Sequence, residues 1–422
     1  VEIFIKEQKD ALNEISITET SKQRVFQFRA YPDVDNQDPD APVAEYVYNM
    51  TQNLGVVTAG KLKVQGLDKT NSIIDATNAD TNDRYSMFML SNATEFVLSD
   101  VTIRNAISSI PSYNTSVLMV LNAGANATVK NVIFEDNEGY AVYINDGVAK
   151  FDSVTFTAPQ TADADNINNS IYVYSNKATL NIDGTNVFGT MIRNVSGTVN
   201  VNGANEFDAN ILNTSGIMNF DGVNTFNASI SNTRNGNITM QGKNIFTGLT
   251  GENGSAISNL ASTLNISGNT TFTGNTATQF GGAIYLGSSS TANINADFGG
   301  LNVGDGNTAE RGGAIYIDTA KNVVISGNFI NNTANQLGGA IYSNSDFTIT
   351  ALDDTEITFS GNTANGVSNA IYMDNPISTI PTITFNLSGT SSMTFYDIVT
   401  GYEAATPVNR FNINITNSTA EG

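Results

Sequence analysis

A short unit of sequence recurs along this chain, and regular repetition limits the possible folds more than any other feature. Five segments share alternating apolar residues, a glycine and a closing phenylalanine: LNIDGTNVF from Leu180, VNVNGANEF from Val199, MNFDGVNTF from Met218, ITMQGKNIF from Ile238 and LNISGNTTF from Leu264. One unit is too small to bury its own apolar face, whereas stacked units bury a continuous core. The period-2 alternation indicates strands and not helices. The pattern therefore predicts an all-β fold, a single-stranded right-handed parallel β-helix, whose hand follows the usual crossover preference.

A second column of similar strands runs through most of the chain. Each has a small residue, an apolar one, an aromatic one and another apolar one, as in AIYL from Ala283, AIYI from Ala314, AIYS from Ala340 and AIYM from Ala370. Since alternate side chains of a strand face opposite ways, the isoleucines are expected to point into the core. The aromatic position then predicts an exposed ladder formed by Tyr285, Tyr316, Tyr342 and Tyr372.

The coils differ in length. In the long coils an excursion separates the phenylalanine from the Ala-Ile-Tyr strand, as from Phe272 to Ala283. Excursions of a solenoid project from one side, where binding differences are usually built. Because TATQF, TAER, TANQL and TANGV are so alike, we expect one shared conformation and not independent loops.

The ends of the chain lack the strict repeat. Residues 1–50 are predicted to form an N-terminal cap that shields the first open edge, residues 51–390 the repeated coils, and residues 391–422 the last coils, leading toward a further C-terminal region. The chain starts at Val1 with no signal-peptide pattern, so a signal peptide is expected to have been removed or to lie outside this sequence.

The composition excludes several classes of function. With 40 acidic and 19 basic residues the net charge is -21, which disfavours nucleic acid and anionic membrane surfaces as partners. There is no Cys and no His, so thiol catalysis, His relays and Cys or His metal sites are absent, and no cofactor is expected. No apolar run approaches the length of a membrane helix. A protein secreted to, or held at, a bacterial cell surface fits this balance.

Two tetrapeptide motifs accompany the long coils. Phe-x-x-Asn occurs as FEDN from Phe134, FTGN from Phe272, FINN from Phe329 and FSGN from Phe359; GGAI occurs from Gly281, Gly312 and Gly338. This pairing resembles the repeats of the polymorphic outer membrane proteins, autotransporters whose surface-exposed passenger is a β-helix. The segment from Ser391 to Ile415 also resembles the stretch that follows the repeats in that family. The resemblance covers roughly residues 130–375 and then this segment.

The resemblance implies an adhesin that reaches the membrane only through a translocator outside this chain. It would bind a protein or glycan receptor on another cell, or neighbouring copies of itself. The adhesive motif would then comprise Phe272, Asn275, Gly281, Gly282, Ala283, Ile284, Gly312, Gly313, Ala314, Ile315, Phe329, Asn332, Gly338, Gly339, Ala340, Ile341, Phe359 and Asn362. Physical chemistry favours an architectural role for the same Phe, Asn and Gly residues: stacked aromatics, a hydrogen-bonded asparagine ladder and tight turns. Adhesion would then belong to the excursions and the tyrosines.

Other functions remain open at this point. A structural subunit of a surface layer or filament is one alternative. A polysaccharide-degrading β-helix enzyme is less favoured, because there is no His and the adjacent pair Asp353-Asp354 has no basic residue nearby. The acidic run from Asp33 to Asp40 could hold Ca²⁺, but it lacks the Gly and closing Glu of a calcium loop. Asn-x-Ser/Thr triplets are frequent, and their glycosylation stays open.

Overall fold

A computed structural model describes residues 2–4, 24–27, 46–49, 56–57, 60–66, 68–70, 72–76, 87–92, 94–106, 116–137, 139–158, 169–302, 304–374, 380–402 and 411–418. Within these residues the regular structure is entirely β-strand. The chain divides into two units, Val1–Ala209 and Asn210–Gly422. The strands are numbered in chain order.

Unit 1 is made of three parallel sheets. The first sheet orders its strands as Glu2–Phe4 (β1), Arg24–Gln27 (β2), Gly60–Gln65 (β5), Thr94–Ser99 (β8), Asn126–Lys130 (β11), Gly147–Asp152 (β14), Ala178–Asp183 (β17) and Thr198–Val201 (β20). The second contains Tyr46–Asn49 (β3), Ser72–Asp75 (β6), Thr102–Arg104 (β9), Ile133–Glu135 (β12), Thr155–Phe156 (β15), Thr185–Phe188 (β18) and Ala204–Phe207 (β21). The third contains Val56–Val57 (β4), Phe88–Leu90 (β7), Ser116–Val120 (β10), Tyr140–Ile144 (β13), Ser170–Val173 (β16) and Ile192–Asn194 (β19).

Unit 2 repeats the three sheets and adds a fourth. Its first sheet contains Ile217–Phe220 (β23), Asn237–Met240 (β26), Thr263–Ile266 (β30), Thr291–Asn295 (β34), Val323–Ser326 (β38), Phe347–Ala351 (β42), Thr382–Ser388 (β47) and Asn412–Ser418 (β50). The second contains Val223–Phe226 (β24), Lys243–Thr247 (β27), Thr270–Thr273 (β31), Asp297–Gly299 (β35), Phe329–Ile330 (β39), Glu356–Ser360 (β43) and Ser392–Phe395 (β48). The third contains Ile211–Asn213 (β22), Ile230–Thr233 (β25), Ile257–Leu260 (β29), Ile284–Leu286 (β33), Ile315–Ile317 (β37), Ile341–Ser343 (β41), Ile371–Met373 (β46) and Val399–Gly401 (β49). The fourth sheet contains Thr250–Asn253 (β28), Thr276–Phe280 (β32), Thr308–Arg311 (β36), Thr333–Leu337 (β40), Thr363–Ala364 (β44) and Val367–Ser368 (β45).

From β5 onward each coil contributes one strand to each of the first three sheets, and that strand pairs in parallel with its equivalent in the next coil; the long coils of unit 2 also contribute to the fourth sheet. In unit 1, for example, Leu180 of β17 pairs with Val199 of β20. In unit 2, Leu264 of β30 pairs with Ala292 of β34. This arrangement is a parallel β-helix, so the predicted fold class is confirmed. The right-handed sense stays a prediction from the crossover preference.

The glycine of each of the five repeated segments lies in the turn between the first and second sheets. The residue is glycine because the stacked turns leave no room for a side chain. Gly203 has a φ of 79°, and a Cβ built on it would lie 2.1 Å from the carbonyl oxygen of Gly184 one coil away. A left-handed conformation and a close backbone approach both select glycine. The number of residues from one of these glycines to the next is therefore the number of residues in one coil.

Alternation along the strands places one set of side chains inside each coil. Leu180 and Ile182 are fully buried in unit 1, and the isoleucines of the Ala-Ile-Tyr strands are fully buried in unit 2, as expected: Ile284, Ile315, Ile341 and Ile371. Burying each of these side chains contributes about 1.5–3 kcal/mol, which is why the inward positions keep apolar residues while the outward ones vary.

Residues 1–50 contribute strands that follow the same pattern. β1 pairs with β2, β2 with β5, and β3 with β6, all in parallel. Most of the predicted cap lies outside the described residues, and so does the acidic run from Asp33 to Asp40. The cap and the domain boundaries therefore stay predictions.

Candidate functional site

A column of phenylalanines fills the inner side of the second sheet in unit 2. Phe272 is fully buried and stacks at 5.0 Å between ring centroids on Phe298. Phe329 and Phe359 continue the column, 4.7 Å apart with an interplanar angle of 8°. Each stacked pair adds about 0.5–1.5 kcal/mol beyond its area burial. These phenylalanines therefore stabilise the core.

Directly after the phenylalanines, an asparagine ladder runs along the coils. Asn275 donates from its Nδ2 to Oδ1 of Asn307 at 2.9 Å, Asn307 in the same way to Asn332 at 2.9 Å, and Asn332 to Asn362 at 3.0 Å. The backbone N–H of each donor also reaches the same Oδ1, as from Asn275 to Asn307 at 3.1 Å. The second Nδ2 proton goes to the phenylalanine carbonyl one coil away, as from Asn307 to Phe272 at 2.9 Å. Every donor and acceptor of these buried amides is thus used.

The two ends of this ladder carry different residues. At the C-terminal end of the ladder, Asp397 accepts from the backbone N–H and the Nδ2 of Asn362, both at 2.8 Å. At the N-terminal end, Leu249 occupies the equivalent place, and its N–H donates to Oδ1 of Asn275 at 3.0 Å. The C-terminal end requires an acceptor for the groups of Asn362, so a carboxylate can replace the amide there.

The paired glycines of GGAI have two different roles. Gly281 has a φ of 62°, in the region that disfavours other residues. At Gly282 a Cβ would lie 2.0 Å from the carbonyl oxygen of Gly313 and 2.7 Å from the backbone N of Thr308. The first glycine is needed for the turn, and the second lets two coils approach.

All the candidates for the adhesive motif are buried. They are Phe272, Asn275, Gly281, Gly282, Ala283, Ile284, Gly312, Gly313, Ala314, Ile315, Phe329, Asn332, Gly338, Gly339, Ala340, Ile341, Phe359 and Asn362. A buried side chain cannot contact a partner while the chain stays folded. This placement agrees with the architectural interpretation of the motif.

The excursions of the long coils form the fourth sheet. β32, β36, β40 and β44 pair in parallel, with Thr276 beside Thr308, Thr308 beside Thr333, and Thr333 beside Thr363. TATQF, TAER and TANQL therefore share one conformation, as the sequence predicted. The prediction is wrong for TANGV, because Asn365 and Gly366 have positive φ and turn the chain back after Ala364 into the antiparallel strand β45. The second residue of all four excursions is alanine and is buried: Ala277, Ala309, Ala334 and Ala364. These small side chains let the fourth sheet pack closely on the coils.

The predicted tyrosine ladder exists, but it is not exposed along its length. Ring centroids are 5.6 Å apart between Tyr285 and Tyr316, 4.7 Å between Tyr316 and Tyr342, and 5.7 Å between Tyr342 and Tyr372. Tyr316 is 7% exposed and Tyr342 is 1% exposed, so the prediction of an exposed ladder is wrong for these two. Tyr285 and Tyr372 are partly exposed.

The residues that end the excursions cover the middle of this ladder. The ring of Phe280 lies 4.5 Å from that of Tyr316, and Cζ of Arg311 lies 5.6 Å from the ring centroid of Tyr342. The guanidinium and the ring attract each other as a cation–π pair. The phenolic hydroxyl of Tyr342 donates to Asp374, which explains how so buried a hydroxyl is satisfied.

Tyr285 should ionise late in an alkaline titration. Burial, followed by the nearby charge of Asp318 and its hydrogen bond with the phenol at 3.2 Å, raises the pKa of Tyr285 to about 12. Unfolded tyrosines ionise near pH 10. Because the folded pKa is the higher one, the stability linked to this group is complete below about pH 10 and is lost as the pH rises through about 12.

NMR of protein labelled at tyrosine Cζ measures this titration directly. Asp318→Asn should lower the pKa of Tyr285 without restoring it to 10, because burial, the larger cause, remains. A Tyr285 that titrates at pH 10 in the unmodified protein would contradict the described environment.

The outer side of the fourth sheet is a polar face, defined here by Glu252, Thr278, Gln279, Glu310, Asn335 and Gln336. Gln279 donates to Glu252 at 2.7 Å, and Asn335 and Gln336 donate to Glu310 at 3.0 and 2.8 Å. Hydrogen bonds between coils hold these side chains in fixed orientations, which lowers the entropy that a partner must remove on binding. The face is thus an ordered array of amide and carboxylate groups.

Some residues of this region were missed by the sequence interpretation. Asn307 belongs to the asparagine ladder, although its coil has no Phe-x-x-Asn motif; the recurring Gly-Asn-Thr-Ala was the signal that could have found it. Asp397 and the ring-covering Phe280 and Arg311 carried no repeated signal, because their partners lie one coil away in the fold.

Neither a metal centre nor a membrane helix is found in the part of the chain that the structure describes. No group of three or more Asp or Glu side chains there is arranged to hold an ion. No helix there is both long and apolar enough to span a bilayer.

The fold and its ladders define a repeat-built parallel β-helix protein. The family model of the Chlamydia polymorphic membrane protein repeat matches residues 269–287 and 323–344, which confirms the resemblance noted in the sequence. No curated protein and no solved structure gives a significant match to the chain. The chain therefore carries repeats of a family of membrane proteins, which supports a cell-surface location in general terms.

Proposed function

We propose that this chain is the surface-exposed passenger of an autotransporter-like outer membrane protein and acts as an adhesin through the polar face of its fourth sheet. The observation that carries the proposal is a coincidence of position. The two family repeats at 269–287 and 323–344 each contain a strand of the fourth sheet, β32 and β40. The family sequence thus coincides with the coils that present this face.

The chemistry of the face suits a protein or glycan partner. Amide groups supply donors and acceptors together, and hydroxyl-rich glycans and peptide backbones need both. Each of three successive coils presents polar side chains on this face: Thr278 and Gln279 in the first, Glu310 in the second, and Asn335 and Gln336 in the third. A partner with repeated units could therefore engage several at once and gain affinity through effective concentration. The tyrosine ladder and the buried Phe, Asn and Gly residues beneath the face hold the coils in register and do not contact the partner.

Charge substitution on the face tests the proposal. In the double variant Thr278→Lys with Asn335→Lys, both exposed side chains become long and cationic. We expect binding of purified, folded protein to host cells to fall about tenfold or more, because hot-spot losses of about 1.4 kcal/mol or larger are typical of central contacts.

The matched control places the same charges elsewhere. Gln241→Lys with Thr247→Lys changes two exposed residues of the same unit, one in the turn before β27 and one at the end of β27, and should leave binding within about twofold. Equal binding by all three proteins would refute the polar face as the adhesive surface. If the face variant instead abolished self-assembly of the protein, the structural-subunit hypothesis would take its place.

A further inference from the structure

The fourth sheet has two edges that end differently. At one edge β44 pairs with the antiparallel β45, with Thr363 opposite Ser368, so a short return of the chain covers it. At the other edge β28 pairs with β32 alone among the strands that the structure describes. An edge strand without a neighbour offers its backbone donors and acceptors to another strand.

The directions of the backbone N–H and C=O groups of β28 show which of them face the open edge. The carbonyl of Leu249 accepts from the N–H of Thr276 at 2.8 Å, and the N–H of Gly254 donates to the carbonyl of Phe280 at 2.9 Å. Both bonds point toward β32. Since successive residues of a strand direct their backbone groups alternately to its two sides, those of Thr250 point to the open side.

A groove lies under this open edge. It has a volume of about 250 Å³, and its lining includes Ser231, Gly251, Asn253 and Ser258. The short coil that carries β25 has no excursion of its own, so β28 overhangs it. The groove is therefore the place that a further excursion strand would occupy.

The floor of the groove is made of small side chains. In the third sheet, Ser231 pairs with Ser258, and Ser258 pairs with Tyr285, so the column of the tyrosine ladder continues here as serine. Two serines in place of two aromatic rings leave the space above the sheet open. The buried Oδ1 of Asn253 in the groove wall has no hydrogen-bond partner among the residues that the structure describes, and a buried polar atom of this kind needs one.

We propose that the open edge of β28 is a strand-addition site for an extended peptide segment of a partner protein. The segment pairs in parallel with β28 and lies in the groove, and main-chain hydrogen bonds provide the affinity. The strands of the fourth sheet indicate which sequence the peptide segment should have. It needs a small residue, alanine or glycine, at the inward position, as at Gly251 and Ala277, and threonine before it.

A second copy of this chain is a less suitable occupant. β32, β36 and β40 are paired on both sides, and β44 is covered by β45. Of the parallel strands that the structure describes in the fourth sheet of a second copy, only β28 itself has an open edge, and it stays attached to its own coils, whereas an extended peptide is free to lie in the groove. The open edge and the polar face share Glu252, but the binding proposed here uses backbone groups of β28 and the groove floor, and not the outward side chains of the face. This inference therefore goes beyond the proposed function and can fail independently of it.

Binding of a labelled peptide measures the interaction. The probe is a synthetic peptide with the sequence of Gly274–Gly282, GNTATQFGG, and the readouts are fluorescence anisotropy and hydrogen exchange of residues 249–254 in the full chain. We expect saturable binding and slower exchange of this segment. A peptide with proline in place of its alanine should not bind, because it cannot complete the ladder.

Two substitutions in the protein decide whether the edge is used. Thr250→Pro removes an N–H from the open side, where an edge strand tolerates proline, and should weaken binding about tenfold or more, while Thr250→Val keeps the N–H and should stay within about twofold. Ser231→Trp fills the groove and should also abolish binding, with Ser231→Ala as its control.

The remaining outcomes overturn the proposal. Absence of peptide binding at millimolar concentration would do so, as would binding that survives both Thr250→Pro and Ser231→Trp. Self-association of the unmodified chain that Thr250→Pro removes, without any peptide binding, would assign the edge to a second copy. Ser231→Trp changes no residue of the polar face, so cell adhesion measured on that variant separates the two proposals.

Discussion

Gly282→Val should unfold the coils of unit 2 or lower the free energy of unfolding by about 4 kcal/mol or more. A Cβ at this position would lie 2.0 Å from the carbonyl oxygen of Gly313, and the backbone N and O of Thr308 are each 2.7 Å away. Backbone atoms cannot turn aside as a flexible side chain can, and valine adds two further methyl groups. Thermal and denaturant unfolding followed by circular dichroism measures the loss.

Two controls separate this steric effect from a general intolerance of glycine substitution. Gly248 has a φ of 68° with nothing within 4 Å of its Cβ position, so Gly248→Ala should cost only the backbone strain, about 1 kcal/mol. Ser255 naturally occupies the place equivalent to Gly282, in the coil where Gly251 replaces Ala277. The Ser255 hydroxyl donates to the carbonyl of Gly282, so a serine fits this place in one coil and Gly282→Ser should cost less stability than Gly282→Val. If Gly282→Val were as stable as Gly248→Ala, the close approach of the coils would be wrong.

The second large effect is expected from Asn307→Ala in the asparagine ladder. The change removes the acceptor for the N–H and Nδ2 of Asn275 and the donor to the carbonyl of Phe272. It also removes one of the two donors to Oδ1 of Asn332, while the other, the backbone N–H of residue 307, remains. Each buried group left without a partner costs about 1–3 kcal/mol, so a total of about 4 kcal/mol or more is expected in the free energy of unfolding.

The matched control is an exposed asparagine of the same coil. Asn302 donates to Asp305 at the surface, and Asn302→Ala should change stability by about 0.5 kcal/mol or less. Asp397→Asn tests the logic of the ladder end: the new amide still accepts from Asn362, so the loss should stay below about 1.5 kcal/mol. Equal losses for Asn307→Ala and Asn302→Ala would show that the ladder does not stabilise the coils.

Local pattern was enough to predict much of the architecture. The period of the glycines, the alternation of apolar residues and the recurrence of Phe-x-x-Asn all act within one coil or between identical neighbours. Stacking places each residue beside its equivalent, so Phe329 meets Phe359 and Asn332 meets Asn362 without further information. Repetition turns a short-range pattern into a long-range contact map.

The candidate site was harder to predict, because its contacts join different positions of neighbouring coils. The excursions could be recognised as equivalent, but their pairing into a sheet that covers the tyrosines depends on where Phe280 and Arg311 reach in the next coil. Tyr342 was therefore expected at the surface and is buried, with its hydroxyl bonded to Asp374. The alternation along a strand predicts on which side of the sheet a side chain lies. It does not predict which other residues cover that side.

The sequence by itself determined the coil, its core and its ladders, because identical units stacked in register must place like residues together. Only the tertiary structure decided which outward residues reach solvent, since that depends on a sheet formed by segments about one coil apart. The same sheet supplies the polar face, and its first strand supplies the open edge. These two surfaces, and not the buried repeated motifs, are where we propose that a partner binds.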